Sequence, residues 1–208
     1  MICPTILATT PDEFRSQLER IEQFAERVQI DLCDGQFTPT LTIAPIQAYW
    51  PPHLTVDIHL MFARPLEQLE TLVSLRPHMV IIHAEAEGDL LGMMQHLQKL
   101  GIQAGVALLK ETEPETVQEL VAVADHVLLF AGHLGSFGGE ADLEVLKKVE
   151  KVQAIHPGVE IGWDGGANQE NVKQLADGGI DVINVGGAIQ KSDGPAGVYA
   201  KLASLVRK

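Results

Sequence analysis

The chain has 208 residues, 46% hydrophobic and 21% charged, with a formal net charge of −13 at pH 7. That composition predicts one globular domain with a full core, and the negative balance argues against nucleic acid and anionic membranes as partners. The longest apolar runs, such as Val127-Leu128-Leu129-Phe130-Ala131, are too short to cross a membrane.

In chain order, Cys3 to Leu7 is a short apolar run. The start Met1-Ile2-Cys3-Pro4 lacks the basic and apolar regions of a signal peptide. Two cysteines, Cys3 and Cys33, do not make a disulfide framework, so a reducing cytoplasm is expected. Thr10-Pro11-Asp12-Glu13 reads as an N-cap, a proline at the first helical position and acids in the first turn. A helix should follow, with Phe14, Leu18, Ile21 and Ala25 on one face. Val28 to Cys33 is a strand, and Asp34-Gly35 turns the chain at its end. Residues 36–52 carry Pro39, Pro45, Pro51 and Pro52 and should be loop with at most a short helix. Leu54 to Met61 is a strand, Pro65 to about Ser74 a helix, and His78 to His83 a buried strand. Asp89 to Leu100 is helical, with Gly101 as its C-cap. Gln103 to Leu109 is a strand, Glu113 to Ala124 a helix and Asp125 to Phe130 a strand. A glycine-rich loop, Gly132 to Glu140, precedes a helix over Asp142 to His156 and a strand over Val159 to Asp164. Asn168 to Ala176 is a helix, Asp181 to Val185 a strand and Gly194 to Val206 the final helix.

Eight short apolar strands, each followed by a helix or a long loop, form the pattern of parallel strands with helical crossovers. Eight units without a leftover segment predict an α/β fold, a single (β/α)8 TIM barrel over residues 1–208. An open doubly wound sheet is the alternative.

Alternation along a strand puts Gln29, Asp31 and Cys33 on one face and Val28, Ile30 and Leu32 on the other. In the same way Asp57, His59 and Met61 share a face. Asp164 ends its strand before Gly165-Gly166. In a barrel the C-terminal strand ends carry the active site. Two acids and a histidine there are the raw material of a metal or acid/base site. Each has a plainer reading alone: Asp34-Gly35 is a turn, His59 a satisfied core histidine, Asp164 a helix cap. His83 and Trp163 read as structural. Gly138-Gly139, Gly165-Gly166 and Gly186-Gly187 follow strands six, seven and eight, where bare N–H groups commonly hold phosphate.

Several stretches carry a resemblance. They are Ile2-Cys3-Pro4-Thr5-Ile6-Leu7, Asp31-Leu32-Cys33-Asp34-Gly35-Gln36-Phe37-Thr38-Pro39 and Asp57-Ile58-His59-Leu60-Met61, then Ile82-His83-Ala84-Glu85-Ala86 and Gly105-Val106-Ala107-Leu108. Phe137-Gly138-Gly139-Glu140, Asp164-Gly165-Gly166 and Gly186-Gly187-Ala188-Ile189 complete them. Over nearly its whole length the chain resembles the ribulose-phosphate 3-epimerase family. The resemblance implies a ribulose-phosphate-binding barrel that interconverts D-ribulose 5-phosphate and D-xylulose 5-phosphate in the pentose phosphate pathway. It implies a divalent metal (zinc, iron, manganese or cobalt) held by two histidines and two aspartates. Asp31 and Asp164 become the acid/base pair and metal ligands, and His59 a third ligand. Thr5 stands for an early serine and Met61 for one of the methionines around the site. Gly138, Gly139, Gly166, Gly186 and Gly187 match the phosphate-holding backbone.

The chain departs from the family pattern at Gln29, where the family has its first metal-binding histidine. A carboxamide oxygen is a poorer ligand than imidazole for zinc or iron. Cys33 stands where the family usually has methionine, and its thiolate is a candidate replacement ligand; the commoner reading is a small buried hydrophobe. Gly132-His133-Leu134-Gly135-Ser136 lacks the family's Pro-Gly-Phe pattern, and His133 either approaches or covers the site. The metal is therefore expected to be absent, weakly held, or rescued by Cys33. Two other functions stay open: a metal-free phosphosugar-binding homologue without epimerase activity, and another sugar-phosphate isomerase or lyase on the same barrel. Related synthases and decarboxylases are expected to carry Asp-x-Lys-x-x-Asp on strand three, and Asp57-Ile58-His59-Leu60-Met61 has no lysine. The expected partners are a small sugar phosphate and, in a homo-oligomer, further copies of the chain.

Overall fold

The eight apolar runs are strands, and a computed structural model describing residues 1–206 closes them into a barrel. In order they are β1 (Ile2–Leu7), β2 (Arg27–Cys33), β3 (Thr55–Met61), β4 (Met79–His83), β5 (Gln103–Leu108), β6 (His126–Phe130), β7 (Glu160–Asp164) and β8 (Val182–Val185). All pairings are parallel, each strand lies between its sequence neighbours, and β8 returns to β1 through Ile2↔Ile183 and Cys3↔Asn184. The helices are α1 (Pro11–Ile21), α2 (Leu69–Leu75), α3 (Leu90–Lys99), α4 (Gln118–Val123), α5 (Lys148–Ile155), α6 (Val172–Asp177), α7 (Gly187–Gln190) and α8 (Pro195–Val206). This is the (β/α)8 TIM barrel. Among the described residues no helix is long and apolar enough to cross a membrane.

Local signals set most boundaries. Thr10 caps α1 by accepting from the Glu13 N–H, with Pro11 at the first position. Gly101 leaves α3 with φ +79. Three helices begin later than expected, because Pro65–Gln68, Pro114–Val117 and Leu143–Lys147 are 3-10 turns. Helix α6 also starts late. Asn168 and Asn171 turn their side chains onto nearby backbone at Gly166, Asn168 and Glu170, which favours a turn over a helix. Ala25 lies beyond the end of α1 but is still buried in the core.

Strand alternation sorts inside from outside. Val28, Ile30 and Leu32 join the apolar shell between strands and helices. Arg27 and Gln29 point into the barrel, since they reach Glu160 and Asp164 of β7, a strand that is not a sheet neighbour of β2. The interior is layered. At the N-terminal end Arg27 bonds Asp57 at 2.6 Å and grips Glu160 with two nitrogens at 2.8 and 2.9 Å. His126 Nδ1 lies 2.7 Å from Glu160, and His78 Nδ1 lies 2.9 Å from Asp57. Burial opposes the charges of Arg27 and Glu160. The bonds from His126 and Arg27 outweigh it and hold Glu160 well below the ordinary carboxylate range, and Arg27 is raised in turn. Met79, Ile81, Ala107 and Leu128 fill the interior above it. Polar side chains then return at the C-terminal mouth.

Candidate active site

Strand register assembles that mouth. Asp31 of β2 sits opposite His59 of β3, and Asp164 ends β7 opposite Phe130 of β6. Barrel closure brings one ligand atom each of Asp31, His59 and Asp164 within 4.8 Å of one another. His59 Nδ1 is 3.0 Å from Asp31 Oδ1 and 3.9 Å from Asp164 Oδ2. His59 is fully buried, and Asp164 keeps 16% of its side-chain surface open.

Gln29 joins the two acids. Its Nε2 donates to Asp31 Oδ1 at 2.8 Å and to Asp164 Oδ2 at 2.6 Å. Its Oε1 accepts from Asn184 Nδ2 of β8 at 2.8 Å. The amide is thereby oriented with nitrogen toward the carboxylates and oxygen away. Gln29 is here a hydrogen-bond donor to the acids, and its oxygen, the weak ligand expected from the sequence, faces Asn184. Asn184 was not picked out in the sequence, because only closure of β8 onto β1 brings it beside β2.

Cys33 carried two expectations, a replacement ligand and, more commonly, a small buried hydrophobe. Cys33 lies outside the Asp–His–Asp cluster, with Sγ 3.8 Å from Met61 Sδ. Burial, with the charges of Asp31 and Asp34, pushes its thiol up to about 12. It acts as a small buried apolar residue.

The carboxyl of Asp164 is raised to about 7 by burial and then by the charge of Asp31. His59, the Gln29 N–H and the Gly165 N–H pull the other way without reversing the shift. His83 is more than a structural polar group, for its Nε2 lies 2.9 Å from His59 Nε2. The same rule that singled out His59, an inward polar residue at a strand's C-terminal end, would have found it.

A cavity of about 320 Å³ opens above these groups. Asp31, His59, Asp164, Thr5 and Met61 line it, together with Gly138, Gly139, Gly166, Gly186 and Gly187. Gln29 and Cys33 are not among its lining residues, and His133, Asn184 and Lys191 add to its walls. Two glycines are sterically required. A Cβ on Gly166, whose φ is +67, would lie 2.3 Å from the Ala141 nitrogen, and one on Gly186 would lie 2.6 Å from Thr5 Oγ1. The loop after β6 is tied over the mouth to the loop after β2. Thr38 and Thr40 hydroxyls donate to the Leu134 and Gly135 carbonyls at 3.2 and 2.7 Å.

Residues 1–190 match the model of the ribulose-phosphate 3 epimerase family. The chain belongs to that family. It is therefore placed in an enzyme class, the isomerases that include epimerases. A ribulose-phosphate 3-epimerase from Helicobacter pylori (strain ATCC 700392 / 26695) is 29% identical over 92% of this chain and 91% of its own length. One from Rhodobacter capsulatus is 29% identical over 99% of this chain and 93% of its own. Among solved structures, a 3-hexulose-6-phosphate synthase superposes with a TM-score of 0.74 at 19% identity, covering 99% of both chains, which is a likeness of fold.

Proposed function

We propose that this family member epimerises a ketopentose 5-phosphate at C3, interconverting D-ribulose 5-phosphate and D-xylulose 5-phosphate, with Asp31 and Asp164 as the acid/base pair. The observation that carries the reading is the convergence of two carboxyl groups from β2 and β7 on one cavity floor, one of them titrating near neutral pH. Epimerisation beside a carbonyl removes a proton from one face and returns one to the other. That needs one carboxylate and one carboxylic acid, each able to exchange roles. Asp164, raised to about 7, is suited to either form at physiological pH. The Gln29 amide donates to one oxygen of each acid. The glycine-lined wall at Gly138, Gly139, Gly166, Gly186 and Gly187 suits the phosphate, and Lys191 adds a positive charge at its edge.

The residues present also fit a divalent cation, since the acceptor atoms of Asp31, His59 and Asp164 converge while Gln29 alone donates among them. These three would hold it, and when bound it would stabilise negative charge on the ene-diolate oxygens. Zinc, iron, manganese and cobalt all accept such a nitrogen and oxygen set. A second reading, phosphosugar binding without epimerisation, rests on Gln29, which supplies no fourth ligand. The cytoplasmic location and homo-oligomer belong to the same proposal. Exposed Leu41 and Ile46 in the loop after β2 support self-association, testable by light scattering.

The test follows C3 of D-ribulose 5-phosphate in D2O by proton NMR, with the protein as purified, after chelation, and after adding back each metal. Conversion with C3 deuteration is expected, and Asp31→Asn and Asp164→Asn should each lower it by about 10²-fold or more. Binding of the sugar phosphate without any exchange under all conditions would replace this reading with the second one.

A further inference from the structure

We propose that His83 and Glu85 are positioning residues that fix the proton of His59 on Nε2, so that Nδ1 presents its lone pair to Asp31 and Asp164. The inference builds on the proposed metal-holding acid/base site, but its first readout does not depend on that reading.

Three hydrogen bonds run in series from the loop after β5 to the cavity floor. The Leu109 backbone N–H donates to Glu85 Oε1 at 3.0 Å. Glu85 Oε2 lies 3.3 Å from His83 Nδ1, and His83 Nε2 lies 2.9 Å from His59 Nε2. Both histidine side chains have no exposed surface. The Phe37 ring lies tilted against His83 with centroids 4.7 Å apart, and Phe130 lies about equally far from both rings, at 6.0 and 5.9 Å.

Direction follows from which groups can donate. Burial pushes the Glu85 carboxyl up, but the bonds from His83, Thr112 and the Leu109 N–H outweigh it and leave a carboxylate. A carboxylate only accepts, so His83 Nδ1 carries a hydrogen. At the alkaline pH of the measurement an imidazole is neutral, so the His83 ring has just that one hydrogen. His83 Nε2 is then an acceptor. The short contact between the two Nε2 atoms requires one hydrogen, and His59 supplies it. Whatever else His59 holds, its Nδ1 is the nitrogen left for the cluster 3.0 Å away. Outer partners of this kind orient a ligating imidazole and fix its tautomer.

Glu85→Gln reverses the series at constant shape. The Leu109 N–H still requires an acceptor at the Oε1 position, so the new amide turns its nitrogen toward His83 Nδ1. His83 then carries its hydrogen on Nε2 and donates it to His59 Nε2, and the His59 hydrogen moves to Nδ1, facing Asp31. His83→Gln preserves the direction, because its amide oxygen accepts from His59 and its nitrogen donates to Glu85.

The experiment records imidazole 15N shifts and one-bond N–H couplings of the metal-free protein at alkaline pH, then Mn²⁺ affinity by titration. The expected result is a protonated His59 Nε2, a bare His83 Nε2 and a protonated His83 Nδ1. Glu85→Gln should move the His59 hydrogen to Nδ1 and weaken Mn²⁺ binding by about 10–100-fold, while His83→Gln keeps the loss below about tenfold. A bare His59 Nε2 facing a protonated His83 Nε2 in the unmodified protein would overturn the proposal, as would Glu85→Gln that leaves the nitrogen pattern unchanged. If the unmodified protein takes up no Mn²⁺, the metal in the functional reading falls, and the nitrogen shifts still decide the tautomer.

Discussion

Replacing Gln29 by leucine tests what the amide does. The side chain is 1% exposed, and its nitrogen serves Asp31 and Asp164 at 2.8 and 2.6 Å. A hydrogen bond to a charged group contributes about 1.5–3 kcal/mol. At about 1.4 kcal/mol per pKa unit, losing the bond to Asp164 should raise that carboxyl further by about one to two units. In the unmodified protein Asp164 is raised from 3.8 to about 7, first by burial and then by Asp31. The folded state therefore binds this proton more tightly than the unfolded chain. The stability it brings is complete below the ordinary value and is lost as pH rises through about 7. In Gln29→Leu the loss should continue to about pH 8 or 9. Urea denaturation of chelator-treated protein reads this directly. The stability gap between the two proteins should widen by about 1.5–3 kcal/mol between about pH 5 and pH 9. A gap that stays constant over that range would refute the assignment of the Gln29 amide as a donor to ionised Asp164.

Gln29→His replaces a donor by an imidazole lone pair and should tighten Mn²⁺ binding by about tenfold or more in calorimetric titration; unchanged affinity would mean that position 29 does not face the cation. Cys33→Met should leave Mn²⁺ affinity unaltered, and alkylation of native protein at pH 8 should be slow, because the thiol is buried and held near 12. Gly166→Ala should abolish protection of the fold by millimolar sulfate in thermal unfolding, since its Cβ would lie 2.3 Å from the Ala141 nitrogen at φ +67. Lys191→Met should raise KM for ribulose 5-phosphate by about fivefold with kcat retained, as expected for loss of about 1 kcal/mol of exposed charge pairing.

The barrel could be read in the sequence because every unit announces itself locally. Thr10-Pro11 opens one helix, Gly101 ends another, and the strands are short apolar runs between them. The Asp31, His59 and Asp164 set was legible for a related reason: each sits near a strand's C-terminal end, and parity within β2 and β3 fixes which side chains point inward. The direction of the Gln29 amide was not legible. It depends on Asn184, 155 positions away in the chain, and on which of two amide atoms that partner can bond. For Cys33 the sequence offered both a buried hydrophobe and a ligand, and its titration, which depends on burial and on two acids in the folded interior, was not legible. The Arg27, Asp57 and Glu160 cluster is a third case. Only barrel closure joins β2 to β7.

The Gln29 substitution changes the hydrogen inventory of the site, and that is the physical core of the functional question. A histidine with its lone pair inward would add one acceptor to a cluster that already holds Asp31, His59 and Asp164. Two like charges and two lone pairs need a cation between them to stay close. Gln29 instead brings two hydrogens, one for each acid, on a group anchored from behind by Asn184. The repulsion between Asp31 and Asp164 is then met in part by the protein itself, and the remainder adds to burial, the larger cause, in raising Asp164. In the proposed function the acid/base pair is held in register by covalently attached donors, whereas a cation would have one fewer anchor. On that proposal, geometry for proton transfer and affinity for metal, coupled in a site of four ligands, would be separated in this chain by a single side chain.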